Sequence, residues 1–118
     1  MDFKKQNPIY QQIADTLCQR IVAGEWGDDG RLPSVRDISV SLGVNPNTVV
    51  RSYDLLTQAE IIFNRRGVGY FVARDASKKI LDLHRKEFLD EELPAFVQKM
   101  NLLGLNFDDL KAHIKTNQ

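Results

Sequence analysis

Apolar residues return along the chain at two periods, and the changes of period divide it into four passages. In the first, Ile9, Ile13, Leu17 and Ile21 recur every four residues, with Tyr10, Ala14 and Val22 widening the stripe. This spacing predicts an amphipathic helix over residues 8–23. Asn7 is a suitable N-cap, and Pro8 suits the first helical position, where its missing N–H costs little. Gly24 is a suitable stop. The stretch Glu25-Trp26-Gly27-Asp28-Asp29-Gly30 breaks any period and reads as a loop.

In the second passage Val35, Ile38 and Leu42 are spaced three and then four apart, which predicts a short helix over 34–43. Ser34 caps it, Asp37 occupies the capping-box position, and Gly43 ends it. Asn45-Pro46 opens a third helix, over about 46–58, with Val49, Tyr53 and Leu56 on its apolar side. Its other face carries Asn47, Thr48, Arg51 and Ser52. Two helices joined by a tight Gly-containing turn, the second presenting polar and basic groups, form a helix-turn-helix pattern.

The third passage consists of two β-prone runs, Ile61-Ile62-Phe63 and Tyr70-Phe71-Val72. They flank Asn64-Arg65-Arg66-Gly67-Val68-Gly69, whose two glycines suit a turn, so a hairpin over about 61–73 is expected with both arginines at its tip. In the fourth passage the helical period returns: Leu89, Leu93, Phe96, Met100 and Leu103 follow a 4-3-4-3 spacing, with Leu81, Phe88 and Val97 extending the apolar side. Pro94 lies inside this run and either kinks the helix or restarts it, with Asp90-Glu91-Glu92 in the new first turn. Gly104 stops the run, and Asn106 caps a last helix over Phe107–Ile114.

The expected architecture is mainly α with a small β-hairpin. A winged helix-turn-helix domain occupies residues 1–75, and a short two-helix dimerisation tail occupies 76–118. Residues 9–74 already supply a core, so a second apolar seam outside it suits a partner helix. The seam residues Leu81, Phe88, Leu89, Leu93, Phe96, Val97, Met100 and Leu103 are therefore the expected contacts of a homodimer.

Composition narrows the function. A chain of 118 residues holds about one domain. Its apolar runs fall far short of the roughly 18–20 residues of a membrane span, and its first residues contain no apolar signal core. A single cysteine, Cys18, builds no disulfide framework and reads as a small packing residue; with no signal core, a cytoplasmic setting is expected. Two histidines and one cysteine are too few for a common zinc site, so no metal or other cofactor is expected. Asp28-Asp29 and Asp90-Glu91-Glu92 have no nucleophile, ligand spacing or phosphate loop beside them, which excludes an enzyme reading.

Net charge is zero, yet the charge is unevenly placed. From Arg31 to Arg74 the six arginines outnumber Asp37, Asp54 and Glu60 by three, and no lysine occurs there. Arginine forks suit guanine edges and phosphates. Arg36 sits in a helix N-terminus, where the dipole disfavours a cation, so a base or phosphate contact gives it a reason to be there. Arg51 lies on one face with Thr48. Arg65 and Arg66 form a wing tip suited to a groove, and Gly67 and Gly69 allow backbone to approach sugar and phosphate. Ser34 is most simply a helix cap whose hydroxyl also reaches a phosphate. Tyr10 is either a core aromatic or a hydroxyl aimed at the DNA backbone, whereas Trp26 and Phe71 read as core.

The residues Pro8-Ile9-Tyr10-Gln11-Gln12-Ile13, Gly24-Glu25-Trp26, Leu32-Pro33-Ser34-Val35-Arg36 and Leu42-Gly43-Val44-Asn45-Pro46-Asn47-Thr48-Val49 stand together in this order. Arg51-Ser52-Tyr53 and Arg66-Gly67-Val68-Gly69-Tyr70-Phe71-Val72 follow. In this combination residues 8–73 resemble the DNA-binding domain of GntR-type winged-helix regulators. The short remainder is similar to the YtrA-like branch, whose two-helix tail pairs two subunits and whose members usually repress. The resemblance implies base-reading roles for Arg36 and Arg51. It implies phosphate and base-edge contacts for Ser34, Asn47 and Thr48, with Asn45 beside them. It implies a wing role for Arg66, Gly67 and Gly69. Two positions depart from the pattern: Asp28-Asp29-Gly30 replaces Pro-Gly-Asp, and Val50 stands where other branches carry arginine.

The function implied is a sequence-specific, DNA-binding repressor that holds a palindromic double-stranded operator as a homodimer. Two other readings compete with it. One is a winged-helix adaptor for a protein partner, which the zero net charge favours and the arginine segment opposes. The other is a sensor with an unidentified small-molecule effector in a pocket at the dimer seam.

Overall fold

The structure is a computed structural model that describes residues 7–116. It forms two compact units, one running through Leu81 and the other from Asp82 onward.

The first unit contains α1 (Ile9–Val22), α2 (Val35–Leu42), α3 (Pro46–Gln58) and the strands β1 (Ile62–Arg65) and β2 (Gly69–Val72). The helix α4 (Ala76–Glu87) begins within it. Its core takes Ile13, Ala14, Leu17, Cys18 and Ile21 from α1, Ile38 from α2, and Val49, Tyr53 and Leu56 from α3, whereas Ile9, Val22 and Leu42 of the predicted stripes stay exposed and Val35 only packs against it. Leu32, Ile61, Ile62, Val72, Ala76 and Ile80 complete it.

The helix ends explain much of the local order. Ser34 Oγ accepts from the Asp37 N–H at 3.0 Å, and Asn45 Oδ1 accepts from the Asn47 N–H at 2.8 Å, so both predicted caps act as caps. At α1 the expectation is one residue early. Pro8 occupies the N-cap position, its carbonyl accepts from the Gln11 and Gln12 N–H groups, and no side chain caps the helix. Asn7 instead offers its carbonyl to the Gln12 side-chain amide at 2.8 Å. Helix α3 ends with Glu60 in the left-handed region, at φ 60°, a conformation that glycine supplies after α1 and α2.

The hairpin is longer than its apolar runs. Arg65 pairs with Gly69 and Asn64 with Tyr70, so the ladder takes in polar residues and the loop shrinks to Arg66-Gly67-Val68. Its other edge is also paired. Arg31 bridges Phe71, the Leu32 N–H donates to the Tyr70 carbonyl at 2.9 Å, and the Val72 N–H donates to the Gly30 carbonyl at 2.8 Å. The departure at Asp28-Asp29-Gly30 therefore lies where the loop docks on β2, with the Asp29 N–H donating to Val72 at 2.8 Å.

The second unit contains the rest of α4, a π-helical turn over Phe88–Glu92, α5 (Leu93–Leu102) and α6 (Phe107–Thr116). Pro94 lacks an N–H and crowds the preceding turn. The chain meets this with a widened turn in which the Leu93 N–H reaches the Phe88 carbonyl, and helical dihedrals persist through Glu92 and Leu93. Asn106 and Asp109 cap α6 reciprocally, each side chain accepting from the other's N–H at 2.9 Å. Among its described residues this unit buries no side chain fully in the single chain.

Candidate nucleic-acid interface

Two buried hydroxyls tie helix α3 to its neighbours. The Tyr53 hydroxyl, fully inside the unit, donates to the Pro33 carbonyl at 2.6 Å, and its ring meets Tyr70 edge-on at 4.7 Å. Burial pushes this phenol up to about 12. One side chain thus ties the start of α2, the middle of α3 and β2. Ser52, expected on the polar face, is instead wholly buried. Its hydroxyl donates to the Tyr10 carbonyl at 2.7 Å, so a small polar residue serves as the α1–α3 contact.

The remaining face of α3 is open. Asn47, Val50, Arg51 and Asp54 are exposed, and Thr48 is half-buried. The Arg51 guanidinium lies 4.0 Å from the centroid of the half-buried Tyr10 ring. This joins two candidate residues from different helices. Arg36 is exposed in the first turn of α2. Ser34 and Asn45 are exposed, each with an oxygen already committed to its cap.

The two wing arginines differ. Arg65 belongs to β1 rather than the tip, and its guanidinium lies 4.9 Å from the Phe71 ring and 5.6 Å from Phe63. Those rings stack on each other at 5.7 Å, so Phe71 is a half-buried surface aromatic rather than core. Trp26 is half-buried but does pack against the core, under the Arg20 guanidinium. Arg66 and Gly67 form the exposed loop, where Gly67 has φ 79°. Gly69 stands in β2 with φ 143°.

Among the described residues the ion pairs are Arg20–Glu25, Arg74–Asp29, Arg85–Asp82 and Lys86–Asp90. Arg36, Arg51, Arg65 and Arg66 thus present guanidinium groups with no carboxylate against them. Sequence reasoning passed over Arg31 as a site residue. Its side chain reaches Val68 across the hairpin, a contact that no short-range pattern reveals. The candidate seam residues Phe88, Leu89, Phe96, Val97 and Leu103 are exposed, and Leu93 and Met100 are half-buried, all in the second unit. Leu81, also exposed, closes the first unit. Leu102 and Phe107 are exposed apolar residues of the second unit that the heptad spacing did not select.

A helix-turn-helix with an arginine-bearing wing is built to meet a polyanion. Residues 9–72 match the family described as "Bacterial regulatory proteins, gntR family". The chain belongs to the GntR family. It is 39% identical to the HTH-type transcriptional regulator YhcF of Bacillus subtilis, over 97% of this chain and 93% of that one. It is 27% identical to the HTH-type transcriptional repressor YtrA of the same organism, over 98% and 88%. A solved GntR-family regulator from Bacteroides thetaiotaomicron superposes with a TM-score of 0.80 at 38% identity, covering 94% of this chain and all of that one. This GntR-family chain is a DNA-binding transcriptional regulator and not an enzyme. No helix among the described residues is long and apolar enough to cross a membrane.

Proposed function

We propose that this regulator is a cytoplasmic repressor that binds a palindromic operator as a homodimer. The observation that carries the reading is the set of unpaired guanidinium groups on α2, α3 and the wing of one unit. Helix α3 enters a major groove, where Arg51 and Arg36 read base edges and each good bidentate pair is worth about 1–3 kcal/mol against a wrong base. Ser34, Asn47 and Thr48 contact phosphates and base edges, Asn45 holds the first turn of α3 in place, and Arg65, Arg66, Gly67 and Gly69 form the wing in the adjacent minor groove. The repressor YtrA, similar over nearly the whole chain, supports the sign of regulation.

The second unit's exposed apolar surface supports dimerisation. Phe96, Val97 and Leu103 are exposed in the single chain, with Leu93 and Met100 half-buried beside them, and a second copy of the same helices supplies what covers them. The place for an effector is the groove of about 490 Å³ lined by Phe96, Leu105, Asp109, Leu110, His113 and Ile114; a ligand-induced rise in melting temperature would reveal one. Sedimentation of the chain on a short operator duplex tests the core of the reading. Two chains per duplex support it; one chain bound at full affinity contradicts it.

A further inference from the structure

We infer that Arg31 positions the wing for DNA, holding its tip from outside the hairpin. Three observations converge on this residue. Its backbone forms a one-residue third strand against Phe71, on the open edge of β2. Its guanidinium reaches the turn, where Nη2 donates to the Val68 carbonyl at 2.8 Å. The passage for it is made by Gly69, where a Cβ would stand 3.2 Å from Arg31 Nε and 3.5 Å from Nη2.

Gly69 therefore has two reasons to be glycine. Its φ of 143° excludes most side chains, and its missing Cβ leaves the slot that the guanidinium fills. A two-stranded ribbon with four residues on each strand is marginal on its own. Within its three-residue loop the Val68 N–H donates to the Arg65 carbonyl at 2.8 Å. Arg31 fastens the same residue, Val68, from the opposite side. A tip fixed before DNA arrives delivers Arg66 without the entropy loss of ordering it on binding. Arg31 thus acts through Arg66 and Gly67 as a positioning residue. This inference rests on the reading of the wing as a DNA contact.

The test compares Arg31→Met, which keeps the apolar stem and removes the donors, with Arg66→Ala and the double variant, all in the full chain. Amide hydrogen exchange at Gly67 and Val68, without DNA, reads the brace directly. Anisotropy titration on a duplex selected by the wild-type protein reads its consequence. Arg31 is exposed, so the thermal midpoint stays close to wild type. Exchange at the tip quickens, and affinity falls on the order of tenfold. The double variant loses less than the product of the two single losses, because both act through one wing. Unchanged exchange overturns the brace and leaves the wing reading intact. Wild-type affinity in Arg31→Met overturns the inference, as do multiplicative losses, which would mark Arg31 as an independent phosphate contact. An Arg66→Ala variant with undiminished affinity would overturn the wing reading itself, whatever the exchange shows.

Discussion

The Arg51 guanidinium on α3 stacks on the Tyr10 ring at the start of α1, 4.0 Å from its centroid. The neighbouring Ser52 hydroxyl holds the Tyr10 carbonyl at 2.7 Å, so α1 is tied to α3 through both ring and backbone. A cation held on an aromatic face at an exposed site gains about 0.5–1 kcal/mol, enough to favour one orientation of an otherwise mobile arginine.

If the Tyr10 ring is what matters, Tyr10→Phe keeps operator affinity and Tyr10→Ala loses several-fold. Anisotropy titration of both variants reads this. A loss in Tyr10→Phe equal to that in Tyr10→Ala would instead assign the hydroxyl to the DNA backbone.

Val50 is 39% exposed on the open face of α3. An apolar side chain facing the major groove reads a thymine methyl. Replacing thymine by deoxyuridine at one position of each half-site is expected to weaken wild-type binding and leave Val50→Ala indifferent. Equal weakening of both proteins at every thymine would exclude this contact.

Much of the fold that carries the candidate interface was legible because its signals are local. The Ser34 and Asn45 caps act two or three residues along the chain, and the spacing of Val49, Tyr53 and Leu56 orients α3 whatever surrounds it. What escaped depends on distant partners. Ser52 looks like a surface residue until the Tyr10 carbonyl is brought to it. Arg65 looks like a tip residue until the ladder pairs it with Gly69, and Arg31 looks like one more basic residue until Val68 lies beside it. Pro94 left two outcomes open because a π turn, with its i to i+5 bond, is a third way to admit a proline.

Charge placed in the second unit tests pairing. Leu93→Asp or Phe96→Asp, at half-buried and exposed positions of α5, is expected to leave helix content unchanged and give monomers with greatly weakened DNA binding. Sedimentation velocity showing an unaltered dimer would contradict the proposed seam.

The Tyr53 phenol is raised from 10.0 to about 12, chiefly by burial. A group whose folded value is raised gives stability that is fully present below its unfolded value and lost as pH rises through the folded one. Wild-type stability should therefore fall between about pH 10 and 12 more steeply than that of Tyr53→Phe. At neutral pH the variant loses about 1 kcal/mol, because the Pro33 carbonyl loses its donor. Urea midpoints measured from pH 9 upward separate the two effects, and parallel curves would exclude the phenol as their source.

In the proposed complex Arg36 and Arg51, carried twice by a dimer, read a palindrome. Selection from a random duplex pool at about 150 mM salt, where non-specific phosphate binding is weakened, tests it most directly. The wild-type chain is expected to enrich a palindrome with guanines in both half-sites, about one helical turn apart. Arg36→Ala and Arg51→Ala, still dimeric, are expected to enrich no motif. A folded, dimeric wild-type chain that enriches nothing, or an Arg51→Ala variant that recovers the same palindrome, would contradict it.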